Sequence, residues 1–205
     1  MIHETIVTTA APDGRPHIAP MGVRREGEHV ILAPFRPSAT LDNIVSTRVA
    51  VVNYTTDVRI FAGCVTRSAT DWPTVRATRV AGIRLASPLA HDELELDEFR
   101  DDPQRPVLKM RRVHQETHAP FTGFNRAQTA VVEGAILVSR LFMLPAAKVD
   151  AEIAYLQIAI DKTAGDVERV AWEWLLDAIA RHRAAANAEP DAQPDMLHPT
   201  SGETR

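Results

Sequence analysis

The chain has 205 residues, 45% of them hydrophobic and 24% charged, with a net charge of −4 and a pI near 6.1. That is the composition of one ordinary globular domain with a sizeable core, and it lacks the basic surplus of a nucleic-acid-binding protein. A single cysteine, Cys64, excludes an internal disulfide and any multi-thiolate metal centre.

The first half reads as a meander of strands. Residues 4–10 are rich in β-branched side chains. In the turn Pro12-Asp13-Gly14-Arg15-Pro16 the glycine supplies positive φ, and the prolines resist continuation of the strand. Residues 17–23 run back, Glu26-Gly27-Glu28 turns again, and residues 29–35 make a third strand. The period changes over residues 37–45, where Ser38 or Thr40 can cap a short helix whose Leu41, Ile44 and Val45 share a face. Strand character returns at residues 48–54 and 58–61, and residues 82–86 suggest another short strand. Residues 74–80 show no clear period. Residues 91–102 read as an acidic loop ended by Pro103 and Pro106, before a strand over residues 107–113. Several antiparallel strands with short helices between them predict a closed or partly closed barrel.

After Asn125, a candidate N-cap, the pattern is helical, with Ala127, Val131, Ala135 and Val138 roughly aligned. Gly134 and the run Ile136-Leu137-Val138 leave open a change to strand before Pro145. Residues 147–163 and 166–186 predict a helical hairpin, with Gly165 in the left-handed C-terminal position and Asp166 capping the second helix. The expected organisation is a barrel domain over residues 1–145, a helical hairpin over 146–187 and a disordered polar tail over 188–205.

Several side chains stand out for their chemistry. Asn125, Arg126, Gln128 and Glu133 interrupt an otherwise apolar segment, and buried polar groups are costly unless satisfied. They either cross-link structure or meet a ligand. The run Asp161-Lys162-Thr163-Ala164-Gly165, followed by Glu168, Trp172 and Trp174, is of the same kind. Arg36, Ser38, Thr40 and Asn43 gather a guanidinium, hydroxyls and free backbone N–H groups at a helix start, which suits a phosphate dianion or else is a simple cap. Met21-Gly22, next to Pro20, marks a kinked edge strand or a close approach of backbone to a ligand. Asn53 ends an apolar strand, where its amide reads a ligand carbonyl or starts a turn. His114 and His118 lie four apart in a strand or loop context with no third ligand evident, so no metal site is assigned. Cys64 reads as a small buried hydrophobe. The glycine-rich nucleotide loops and a serine–histidine–acid constellation are absent. No apolar run approaches a membrane span of about 20 residues, and the start Ile2-His3-Glu4 is unlike a signal peptide. The expectation is a cytoplasmic protein.

Taken together, the segments around Met21-Gly22, Arg36–Asn43, Asn125-Arg126-Ala127 and Asp161–Gly165 resemble the FMN-binding split-barrel proteins catalogued as domain of unknown function 447, over about residues 4–183. The resemblance implies an antiparallel split β-barrel with a C-terminal helical hairpin, non-covalent FMN, and a homodimer whose sites take residues from both chains. It implies that the phosphate lies at Arg36, Ser38, Thr40 and Asn43, and that Met21, Gly22 and Asn53 meet the ring. Asn125, Arg126 and Gln128 are further flavin candidates, although Arg126 could equally be tied to Glu133. The implied activity is that of an FMN-dependent oxidoreductase with a link to methanopterin-type one-carbon metabolism. The alternative is a non-catalytic flavin carrier or assembly protein. A flavin supplies its own hydride or electron chemistry, so the lack of an obvious acid–base residue does not argue against catalysis.

Overall fold

The computed structural model describes residues 1–188; the tail expected to be disordered lies, beyond Ala188, outside the described residues. Six strands close a barrel in the order β1-β2-β3-β8-β7-β4. They are β1 (Ile2–Ala10), β2 (Pro16–Glu26), β3 (His29–Leu32), β4 (Val49–Tyr54), β7 (Ala90–Arg100) and β8 (Val107–Thr117). Every pairing is antiparallel, and β4 closes onto β1 through Ile6 opposite Asn53 and Thr8 opposite Val51. The expected antiparallel barrel is therefore the fold.

Two cores flank the barrel wall. Inside lie Val7, Val23, Val30, Leu32, Val52, Leu94, Leu108 and Met110, plugged by Leu41 and Ile44 of α1 (Ala39–Thr47). Outside, Ile6, Leu85, Val58 and Phe61 pack against Ala127, Val131, Trp172 and Leu175. Adjacent residues Ile6 and Val7 thus serve different cores, and residues 5–9 are all buried. A strand covered on both faces shows no apolar–polar alternation.

The outer core is roofed by α2 (Arg59–Thr66), α3 (Arg126–Val138), α4 (Ala146–Thr163) and α5 (Asp166–Ala188). The strand expected at residues 58–61 is instead the start of α2. Asp57 accepts the Arg59 N–H at 3.2 Å, and Ile60, Phe61, Ala62 and Gly63 are buried. A four-residue apolar run does not distinguish strand from buried helix. Helix α3 continues through Val138 and does not turn into strand. Gly134 within it lets the helices close up, since a Cβ there would sit 2.9 Å from Trp172 Cζ3 and 3.0 Å from Leu175 Cδ1.

Two further expectations are corrected. Residues 91–102 are mostly strand β7 rather than a loop, because Asp92 and Glu93 are buried beside partners from distant segments. Gly165 is not left-handed; its N–H is taken by the Glu168 carboxylate at 3.0 Å and its C=O accepts the Arg169 N–H at 3.1 Å. Gly165, not Asp166, therefore occupies the capping position, with Glu168 reaching back as in a capping box. A small ribbon of β5 (Thr74–Arg76) and β6 (Ile83–Leu85) lies over the outer face of β1 and β4, tied by Thr8 Oγ1 donating to the Ile83 carbonyl at 2.6 Å. No helix among the described residues is long and apolar enough to cross a membrane.

Candidate functional site

The ten residues singled out by the sequence fall into three groups. The first gathers at β2 and the start of α1. Ser38 caps α1, its Oγ accepting the Leu41 N–H at 3.2 Å. Thr40 is 1% exposed. Asn43 is buried and donates to Thr9 Oγ1 at 3.0 Å. Arg36, joined to Pro37 by a cis peptide bond, donates through Nη2 to Asp101 at 2.6 Å and through Nε to the Asp102 carbonyl at 3.2 Å. Met21 accepts from Thr5 Oγ1 at its carbonyl, 2.9 Å away, and packs partly against the inner core.

Gly22 faces outward opposite Glu4, on the floor of a groove of about 330 Å³. Ile2, Ile31, Ala33 and Val107 supply apolar surface there, and Arg24, Arg100 and Arg105 surround it. A second groove of about 220 Å³ shares Arg24, Ile31, Arg100 and Val107 and adds Glu26, Glu98 and Lys109. Arg105 links the first groove to the loop before α1: its Nε donates to the Ala33 carbonyl at 3.2 Å and its guanidinium lies 4.6 Å from the Phe35 ring centroid. The sequence did not reveal these arginines as a group, because they come from three separate segments.

Asn53 forms the second group alone. It is fully buried; its Nδ2 donates to Ile6 O at 3.1 Å and Thr8 Oγ1 at 3.1 Å, and its Oδ1 accepts the Leu85 N–H at 2.9 Å. These bonds spend its amide on pinning β6 to the wall.

The third group belongs to the helical layer. Asn125 caps α3, accepting the Ala127 N–H at 2.8 Å, while its Nδ2 donates to the Thr163 carbonyl at 3.1 Å. Thr163 Oγ1 also accepts the Ala127 N–H at 3.0 Å, and Gln128 donates to buried Glu168 at 3.1 Å. The two unusual polar motifs of the sequence therefore interlock with each other. Arg126 is exposed, and among the described residues it makes no ion pair, with Glu133 or any other carboxylate. Asn125→Ala is expected to cost about 1 kcal/mol or somewhat more in a urea melt, since it removes a cap and a tie to α4; an unchanged midpoint would contradict this role.

One strongly shifted ionisable group, Glu93, lies where the sequence suggested only a loop. Glu93 is fully buried, and burial alone would raise its pKa. The backbone N–H groups of Thr78, Val80 and Arg79, at 2.5–2.9 Å, together with His91, hold it down at about 2. His91, also fully buried, has Nε2 3.1 Å from Glu93 Oε1 and Nδ1 2.9 Å from His118 Nε2. On the other side of the strand, buried Asp92 accepts from Arg25 and Tyr54, each at 2.8 Å. Burial first, then Asp92, pushes the Tyr54 phenol up to about 12. Cys64 is pushed up to about 11 by burial, which leaves it an inert thiol. The spacing of Leu94 and Leu96 was the one local hint that this stretch is a strand.

Over 86% of its length the chain superposes on 94% of an FMN-bound protein from Methanosarcina mazei, with a TM-score of 0.74 and 20% identity. It also overlaps BorF, the flavin reductase component of a bacterial two-component tryptophan halogenase, at a TM-score of 0.50 and 16% identity, over 58% of this chain and 81% of that one. No curated protein matches it by sequence. The family model for the N-terminal domain of the DUF447 proteins of unknown function matches residues 3–119, and the model for the remainder of that family matches residues 125–177. Together these span most of the molecule, barrel and helical layer alike, and the chain belongs to the DUF447 family.

Proposed function

We propose that this protein is an FMN-binding flavoprotein that carries out flavin-dependent oxidoreduction. The observation that carries this reading is the whole-chain likeness to an FMN-bound structure of the same family. The groove over Gly22 supports it independently: an apolar floor suits a flat ring, and three arginines suit an anionic nucleotide. In this proposal the ring lies over Gly22 and beside Met21. The phosphate sits at the start of α1, between Arg36, the capped N-terminus at Ser38 and Thr40, with Arg105 alongside. Asn43 and Asn53 hold the strands behind it. A second protomer completes the site, and exposed Arg126 is the residue of the helical layer free to reach across. The groove has no chemistry that singles out a pterin, so the reading stops at flavin.

The chemistry is the cofactor's: FMN accepts and returns a hydride or electrons. The chain's part is to bind the phosphate, keep one ring face against the wall and set the charge around it. Arg24, Arg100 and Arg105 add positive potential, which favours the anionic reduced form.

The test is a titration of FMN and riboflavin into wild type and Arg36→Ala. Riboflavin lacks the dianion, so losing a charge-assisted hydrogen bond of roughly 1.5–3 kcal/mol should weaken FMN about tenfold to hundredfold and leave riboflavin little changed. Equal losses would place the phosphate elsewhere, and failure of wild type to take up FMN would end the flavin reading. Sedimentation of the same samples reads the dimer, which a ligand shared between protomers stabilises by mass action. Protein whose bound FMN no nicotinamide donor reduces would favour a carrier.

A further inference from the structure

The cluster centred on His91 has no part in the proposed flavin site. His114 and Glu116 of β8 lie two residues apart, His118 follows just past the strand's end, and the β7–β8 register sets His91 directly opposite Glu116. His91, Glu116 and His118 each offer a ligand atom, all within 4.8 Å of one another. We propose that His91 Nδ1, His118 Nε2 and the Glu116 carboxylate bind a divalent transition-metal ion of the imidazole-preferring kind, Zn²⁺ foremost.

Three features of the geometry assign the ligand atoms. The carboxylate of Glu93 is pinned by three backbone N–H groups and faces His91 Nε2 at 3.1 Å. An ionised acceptor there requires Nε2 to carry the hydrogen, so Nδ1 presents its lone pair on the opposite side. A carboxylate that fixes tautomer and ring orientation from behind is the usual second partner of a metal-binding histidine. The His118 ring is almost coplanar with His91, at an interplanar angle of 4° and a centroid separation of 5.1 Å, and its Nε2 lies 2.9 Å from Nδ1. One hydrogen bridges the two nitrogens in the metal-free protein. Zn–N bonds of about 2.0–2.1 Å need the nitrogens about 3.3 Å apart in tetrahedral geometry. In this in-line hydrogen bond the two ring nitrogens point straight at each other, so His118 must also turn its ring to aim Nε2 at the metal, the bridging hydrogen passing to its Nδ1 or to solvent. His118 and Glu116 are reachable, with side chains 21% and 46% exposed, while His91 is sealed. Three protein ligands with an open fourth position is the arrangement of a reactive zinc site rather than a closed structural one.

His91, Glu93 and His114 also lie within 4.8 Å of one another. A metal there would take Nε2 away from Glu93, whose oxygens already receive three N–H groups. That set is therefore the poorer one. His114 Nε2 is nevertheless buried without a hydrogen-bond partner and stands 3.6 Å from Glu116 Oε2. Such orphaned nitrogens are uncommon in folded proteins, and this one marks the Glu116 side of the cluster as short of a partner.

The experiment is a titration of untagged protein with Co²⁺, followed by Zn²⁺, read by calorimetry and visible absorption. One equivalent of Co²⁺ with the intense d–d bands of tetrahedral coordination, displaced by Zn²⁺, is expected. His118→Ala, at an accessible position, should keep the fold and weaken the site by about tenfold or more; Glu116→Gln should also weaken it and change the bands. A faint octahedral spectrum, binding without a one-to-one end point, or a titration unaltered by His118→Ala would overturn the proposal. Flavin content can be recorded on the same samples, so the outcome is independent of whether FMN binds.

Discussion

Glu93→Gln is expected to lower the melting temperature by roughly 10 °C and to remove much of the acid dependence of stability. The carboxylate is fully buried and receives the N–H groups of Thr78, Arg79 and Val80 as well as His91. An amide keeps one acceptor and turns an NH₂ toward donors, leaving buried N–H groups unpaired at a cost of about 3–5 kcal/mol. In a chain of this length each 1 kcal/mol moves the midpoint by about 2–4 °C. The pH dependence has a definite sign. The folded pKa is depressed from 4.5 to about 2, so the stabilisation is fully present above about 4.5 and is lost as pH falls toward about 2. It amounts to roughly 3 kcal/mol. The wild-type and variant stabilities should therefore converge across that window. Parallel curves from neutral pH down to acid unfolding would show that Glu93 is not the group responsible.

Trp172→Ala is the second large effect, and it falls on the helical layer. The side chain is 3% exposed, fills the space over Gly134, and donates from Nε1 to Gln157 at 2.7 Å. Truncation leaves a cavity and an unpaired amide oxygen, together costing about 3–5 kcal/mol. Gly134→Ala alone forces its new Cβ against Trp172 and Leu175, an overpacking cost of about 1–3 kcal/mol. The pair is coupled. With Trp172 gone the added methyl is left against Leu175 alone, so the double variant should be more stable than the sum of the single losses predicts. Strict additivity in denaturant titrations would mean that the helices move apart rather than leaving a void.

What the sequence shows of this structure is what local chemistry decides. Asn125 is readable as a cap, and Ser38 as one of two candidates beside Thr40, because a cap bonds within its own turn. The meander of β1, β2 and β3 was readable from its turns. Residues 58–61 were not, because four apolar residues suit either period, and α2 is decided by the core it meets. The stretch His91-Asp92-Glu93 looked like a solvated loop for a related reason. Its charges are answered by Arg25, 67 residues away from Asp92, and by backbone 13 to 15 residues before Glu93, none of which a local window contains. The His114–His118 spacing was visible, but the third ring lies 27 residues before His118 on another strand. Of the site candidates, Gly22 lines the groove, whose Arg24, Arg100 and Arg105 become a group only when the barrel closes.

The double duty of β1 bears on how the molecule comes apart. Ile6 faces the helices and Val7 the barrel lumen, so neither layer can detach without stripping the same strand. The break between residues 119 and 125 that separates the two family segments is thus a feature of the chain and not of the energetics. Barrel and helices are therefore expected to open as one cooperative unit, the amides of β1 exchanging with solvent only when the whole molecule opens.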